Sequence, residues 1–145
     1  AYRVPDNPCA CVPPGTTPGS TVPIGKMNVR SFITNFTDGD TLSWFSFFLT
    51  GMTVRGIAFD GGSGIKKVEF SSDGGSSWRT ATLGLNYGNY SFRQWSTLFW
   101  PSGPGNFVLK VRATNNAGQT QPLDPLWNPS GFMRNVVETV RLKVV

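Results

Sequence analysis

A chain of 145 residues is long enough for one packed core, and its net charge of +5 comes from scattered Lys and Arg that form no nucleic-acid footprint. Only 14% of residues are charged and aromatics are frequent, which excludes disorder; 17 Gly and 11 Pro predict short elements joined by turns, an all-β pattern. The absence of histidine removes Ser-His-Asp, Cys-His and His-zinc chemistry from this chain.

No apolar run approaches the ~20 residues that cross a bilayer, so no membrane segment is expected. The opening "AYRVPDNPCACVPPG" lacks the apolar centre of a secretory signal, and no compartment can be read from it.

Residues 1–26 are proline-rich and without periodicity. They read as an extended arm or linker laid over another surface, because proline fixes φ and removes hydrogen-bond donors. Within the arm, Cys9 and Cys11 are a C-x-C pair. A closed metal site would need further ligands that the chain lacks, and a bridge across one residue is expected to be strained, so two unpaired thiols are expected here.

From Met27 onward the pattern alternates, and 27–145 reads as one domain. "MNVRSFITN" predicts a half-buried strand with Met27, Val29 and either Ser31 or Ile33 inward. "TVRGIAFDGGSG" predicts a strand running into a flexible loop. "IKKVEFS" places Val68 and Phe70 on one face, with Lys67 and Glu69 on the other. Asp73 and Gly74 then supply a hairpin turn that needs positive φ, and "WRTATL" returns. "NYSFRQWSTLFW" predicts an aromatic strand in two segments with a bend. "NFVLKVRATNN" turns Phe107, Leu109, Val111 and Ala113 inward, and "NVVETVRLKVV" does the same with Val140, Leu142 and Val144. About seven strands with no helical periodicity predict an immunoglobulin-like antiparallel β-sandwich, although the cysteine spacing of a true immunoglobulin domain is missing.

The carboxylates Asp6, Asp38, Asp40, Asp60, Glu69, Asp73, Asp124 and Glu138 lie mostly in turns, where Asp bonds its own backbone; they do not read as a hydrolytic pair. "DGGSGIKK" has glycines and lysines without P-loop spacing. The informative segment is "AGQTQPLDPLWNPSGFMRN", a long loop between two strands. Gln121, Trp127, Asn128, Arg134 and Asn135 are its candidate interface residues, since Trp and Arg anchor interfaces and long ordered loops bind. For Trp127 a purely structural role, plugging the end of the sandwich, is equally open.

Three stretches taken together, "RGIAFDGGSGIKKVEFSSDGGSSWRTATLG", "YSFRQWS" and "VRATNNAGQTQPLDPLWNPSGFMRNVVETVRLKV", resemble the C-terminal dimerisation domain of the sulfite oxidase family of molybdenum enzymes. The resemblance covers most of 27–145, and the proline-rich arm resembles the segment that follows the molybdenum domain in bacterial sulfite dehydrogenases. It implies a non-catalytic, immunoglobulin-like domain that forms a homodimer and packs on a catalytic domain holding molybdopterin through a cysteine thiolate. It also implies that Trp78 starts its strand as a core plug.

The implied parent reaction converts sulfite and water to sulfate, with electrons passed to an acceptor such as a c-type cytochrome in the periplasm. The sequence context of Cys9 and Cys11 does not match the thiolate ligand. Where animal and plant sulfite oxidases carry an arginine two residues after the Asn of Trp-Asn, this chain has Ser130. Arg134 is the candidate substitute; the alternative is that it closes the dimer seam. The other readings are an immunoglobulin-like accessory module that binds protein, or grasps carbohydrate on Trp44, Trp95 or Trp100, and the equivalent domain of a nitrate reductase or another molybdenum oxidoreductase.

Overall fold

Strict alternation of apolar and polar residues builds two sheets in the computed structural model, which describes residues 2–145. The strands are β1 (Arg3–Pro5), β2 (Thr21–Pro23), β3 (Arg30–Ile33), β4 (Thr41–Leu42), β5 (Met52–Phe59), β6 (Ile65–Ser71), β7 (Arg79–Thr80), β8 (Thr82–Leu83), β9 (Arg93–Phe99), β10 (Gly105–Asn115) and β11 (Glu138–Val144), with a 3-10 turn at Trp44–Ser46. One sheet has the order β4-β11-β10-β6-β7 and the other β3-β5-β9-β8, while β1 and β2 form a separate ribbon in the arm. Every pairing is antiparallel except β4 with β11. The immunoglobulin-like sandwich is therefore as expected, with strands of two or three residues added to the longer ones.

The core lies between the sheets. Val54, Ala58, Trp95 and Phe99 face Val68, Phe70, Leu109, Val111, Ala113 and Leu142, all buried. Each large apolar side chain placed there stabilises the fold by about 1.5–3 kcal/mol. On β10 and β11 the predicted inward residues are the ones observed, because period-two alternation leaves a strand one way to hide its apolar face.

Within the sandwich, three expectations are corrected. Of the strand predicted from Met27, only β3 (Arg30–Ile33) forms; Met27 is exposed, while Val29 and Ser31 turn inward, and Ser31 is tolerated there because its hydroxyl donates to Gln121 Oε1 at 2.5 Å. Arg93–Phe99 is one continuous strand rather than two bent segments. Trp78 is no core plug: it lies on the outer face with the Arg112 guanidinium 4.1 Å above its ring, and its indole N–H donates to the Gly75 carbonyl at 3.1 Å. Trp95 fills the core instead, packed over Gly56, where a Cβ would collide with the Trp95 ring and the Phe32 carbonyl.

The hairpin turn is as predicted, with φ of +74° at Gly74 and +98° at Gly75. Asp73 organises it. Its carboxylate accepts from the Ser77 hydroxyl (2.6 Å), the Ser77 N–H (2.9 Å) and the Ser71 hydroxyl (2.7 Å), and these bonds hold the carboxyl well below its usual range.

The expectation of two unpaired thiols is overturned. Cys9 and Cys11 form a disulfide with their Cα atoms 5.1 Å apart, inside the ordinary span of such bridges. The intervening Ala10 adopts the left-handed region at φ +50°, which folds the chain back so that the two sulfurs meet. The Asn7 side chain brackets the fold, accepting from the Cys11 N–H at 3.1 Å and donating to the Cys11 carbonyl at 2.8 Å.

Candidate functional site

The loop from 116 to 137 joins β10 to β11 at the end of the sandwich where β5 also finishes. Its backbone polar groups need partners, and long-range side-chain bonds supply them. Gln121 is 3% exposed. Its carbonyl accepts from Ser31 and from the Ala113 N–H (2.9 Å), and its amide donates to the Asn135 carbonyl (2.9 Å). Asn128 is likewise buried: its amide donates to the carbonyls of Phe132 (2.8 Å) and Ala10 (3.3 Å), and its oxygen accepts from the Phe132 N–H. Both side chains were expected at an interface, and both make their bonds inside this chain.

Asn128 also fastens the arm to the loop, together with the Val12 N–H, which donates to the Trp127 carbonyl at 2.9 Å. Trp127 is half-buried. It lines an open groove of about 450 Å³ with Arg3, Pro5, Thr16, Pro129 and Ser130, so the arm forms one wall and the loop the other. Asn135 donates to the Val29 carbonyl at 3.3 Å.

Arg134 is the exposed cation of the group. Its Nη2 lies 3.8 Å from Glu138 Oε2, while the other Glu138 oxygen takes a closer bond, 2.9 Å, from Arg30. Beside Arg134, a narrow cleft is lined by Cys9, Ala10, Asn128, Met133 and Asn135. Its volume of about 20 Å³ holds roughly one water molecule. Met133, at φ +64°, is the second non-glycine residue in the left-handed region, and it faces the same cleft as Ala10. An oxyanion bound at Arg134 would therefore need a second wall from outside this chain.

Sequence reading missed the group that anchors this end. Asp60, 4% exposed, accepts from the N–H groups of Gly62 (3.2 Å), Ser63 (3.2 Å) and Gly64 (2.9 Å), from the Ser63 hydroxyl, and from the Asn115 amide (3.1 Å). Burial raises its pKa, but these bonds outweigh burial and leave it below the usual carboxylate value. The run Asp60-Gly61-Gly62-Ser63-Gly64 signalled a turn; the partner Asn115, 55 residues away, left no local trace.

Among the described residues no three His, Cys, Asp or Glu side chains come together as a metal site. The cysteines are bonded to each other, so neither offers the thiolate that would hold molybdenum. The residues of this chain do not fit the cofactor.

Residues 21–145 match the family described as the Mo-co oxidoreductase dimerisation domain. The chain belongs to this family. It is 32% identical over 136 residues to a nitrate reductase [NADH] of Hordeum vulgare, with 83% of this chain and 14% of that enzyme covered. Against inducible nitrate reductase [NADH] 1 of Glycine max it is 31% identical over 135 residues, covering 83% of this chain and 15% of the relative. The chain thus spans about one seventh of these relatives. Among solved structures, the sulfane dehydrogenase SoxCD of Paracoccus pantotrophus is similar with a TM-score of 0.65 at 20% identity, covering 95% of this chain and 33% of that one. At that identity the likeness concerns the fold.

Proposed function

We propose that this chain serves as the non-catalytic dimerisation domain of a molybdopterin-dependent enzyme that oxidises sulfite to sulfate. The single observation behind this role is that the polar residues of the long loop hold the fold and the arm together, and leave Arg134 as a charged group directed outward. In this reading the domain pairs with a second copy and packs its arm end against the catalytic domain. Arg134 contributes to the sulfite pocket from that end, since a guanidinium meets an oxyanion with paired, charge-assisted bonds. Electrons pass to a c-type cytochrome in the periplasm, and the molybdopterin resides wholly in the catalytic domain.

A second reading, the equivalent domain of a nitrate reductase, is favoured by the identity of 31–32% to plant nitrate reductases. Steady-state assays of the full parent enzyme separate the two. Sulfite-dependent cytochrome c reduction is the expected activity, and nitrate reduction without sulfite turnover would replace the first reading by the second. Of the tryptophans named for the carbohydrate reading, Trp95 is buried in the core and offers no face to a sugar.

The 145-residue chain alone should hold no molybdenum and reduce no cytochrome with sulfite. Metal content near one per chain, with turnover, would refute the non-catalytic assignment.

A further inference from the structure

The end of the sandwich opposite the arm carries an apolar surface that the fold does not explain. It begins in an uncharged run from Thr41 to Val54 and is completed by residues around Trp100 and by Val145. In the 3-10 turn and the residues after it, Phe45 is 81% exposed, Leu49 78% and Phe48 45%. The aromatic rings form one group: Phe48 lies 6.3 Å from both Trp44 and Phe45. Gly51 lets the Trp100 indole lie directly against the backbone, where a Cβ would come 2.7 Å from the ring, and the Trp44 N–H donates to the Val145 carbonyl at 2.7 Å. Half of Trp100 and half of Val145 remain open to solvent.

We propose that this surface, centred on Phe45, Phe48, Leu49 and Trp100, is where a second copy of the chain docks. The inference rests on the reading of the chain as a dimerisation domain. Area favours this occupant. With aromatic side chains offering roughly 150–250 Å² each, the exposed parts of the patch amount to on the order of 600 Å². That is the upper end of what a monomer leaves bare, about 300–600 Å², and close to the roughly 800 Å² per partner of a stable interface.

Charge favours it too. Two copies of a chain with net charge +5 repel unless they meet where neither carries charge. The patch centre has none, and the nearby rim carries both signs, with Asp38 paired to Arg141 at 3.0 Å and Asp40 bonded through its carbonyl to the Lys143 N–H. A two-fold contact requires such a self-complementary surface. Position agrees as well. The eight residues of β5 separate this end from the arm end by about 25 Å, so the patch and the arm's contacts do not overlap.

The test is light scattering on the 145-residue chain over a concentration series. A dimer is expected for the wild type. Phe45→Glu with Leu49→Glu should raise the dimer dissociation constant by at least about 100-fold, because each brings an unpaired charge into the contact. Leu85→Glu with Tyr87→Glu, in a different exposed loop, should leave it unchanged. A folded Phe45→Glu, Leu49→Glu chain that stays dimeric overturns the surface and leaves the dimerisation role standing. A wild type monomeric at every concentration overturns both. Should the double variant fail to fold, amide exchange of wild-type residues 44–50 decides: protection that grows with concentration is expected, and its absence refutes the surface.

Discussion

The two ends of the sandwich hold themselves together by different chemistry. At the arm end, Asp60 satisfies the backbone of its own turn and holds the distant Asn115, while Gln121 and Asn128 bond backbone groups of the long loop and of the arm. At the opposite end, Trp44 and Phe45 both pack against Phe48, the Trp100 ring lies against Gly51, and Phe45, Phe48 and Trp100 remain open to water. A hydrogen-bonded end is geometrically specific and fails sharply when a partner is removed, since each orphaned buried group costs about 1–3 kcal/mol. An apolar end tolerates change within the monomer and becomes exacting only once another surface covers it. The contrast suits an end that must hold a loop in register and an end that must meet a partner.

The largest effect that would break this comparison lies at Asp60. Asp60→Ala should cost about 3 kcal/mol by denaturant unfolding, because four N–H groups and a hydroxyl lose a buried anionic acceptor. The wild type should also show a pH dependence that Asp60→Asn reduces. A carboxyl held below its unfolded value stabilises the fold above an unfolded pKa of about 3.9, and that contribution is lost as pH falls through the folded value. A variant as stable as the wild type at pH 7 would remove the polar anchor from the account.

Next in size, Arg134→Ala in the full parent enzyme should raise the KM for sulfite by about ten- to a hundred-fold, corresponding to ~1.5–3 kcal/mol of lost anion binding. Unchanged kinetics with a shifted dimer–monomer balance would instead place Arg134 at a subunit seam and erase the division of labour between the ends.

The hairpin turn belongs to neither end and serves as a reference. Replacing Gly74 and Gly75 together with Val should lower stability by ~1–3 kcal/mol, since both sit at positive φ. An unchanged melting temperature would show that the turn relaxes into another conformation.

The smallest effect concerns the arm. Cys9→Ser with Cys11→Ser should reduce global stability by at most about 1.5 kcal/mol, because closing so short a loop removes little chain entropy. Limited proteolysis should nevertheless cut residues 1–20 faster, as the bridge shapes the segment whose Ala10 carbonyl Asn128 holds. Equal cleavage would mean that the β1–β2 ribbon alone keeps the arm in place.

Much of the sandwich was legible because strand burial is a local, period-two property. The inward faces of β6, β10 and β11 follow from Val68, Phe70, Leu109, Val111, Val140 and Leu142 alone. The Gly74–Gly75 turn was legible for the same reason, since positive φ is a demand of the backbone at that point. Tertiary structure decided the rest. Which tryptophan enters the core depended on Gly56 lying across from Trp95 on the neighbouring strand. The fate of Gln121 depended on Ser31, 90 residues away, and that of Asp60 on Asn115. Cys9 and Cys11 met only because Ala10 took a conformation that its own side chain disfavours, inside an Asn7 bracket and under Asn128. Local patterns specify which face of a strand seeks the core. The partners of a buried polar group, and the surfaces that remain uncovered, are set only when distant segments come together.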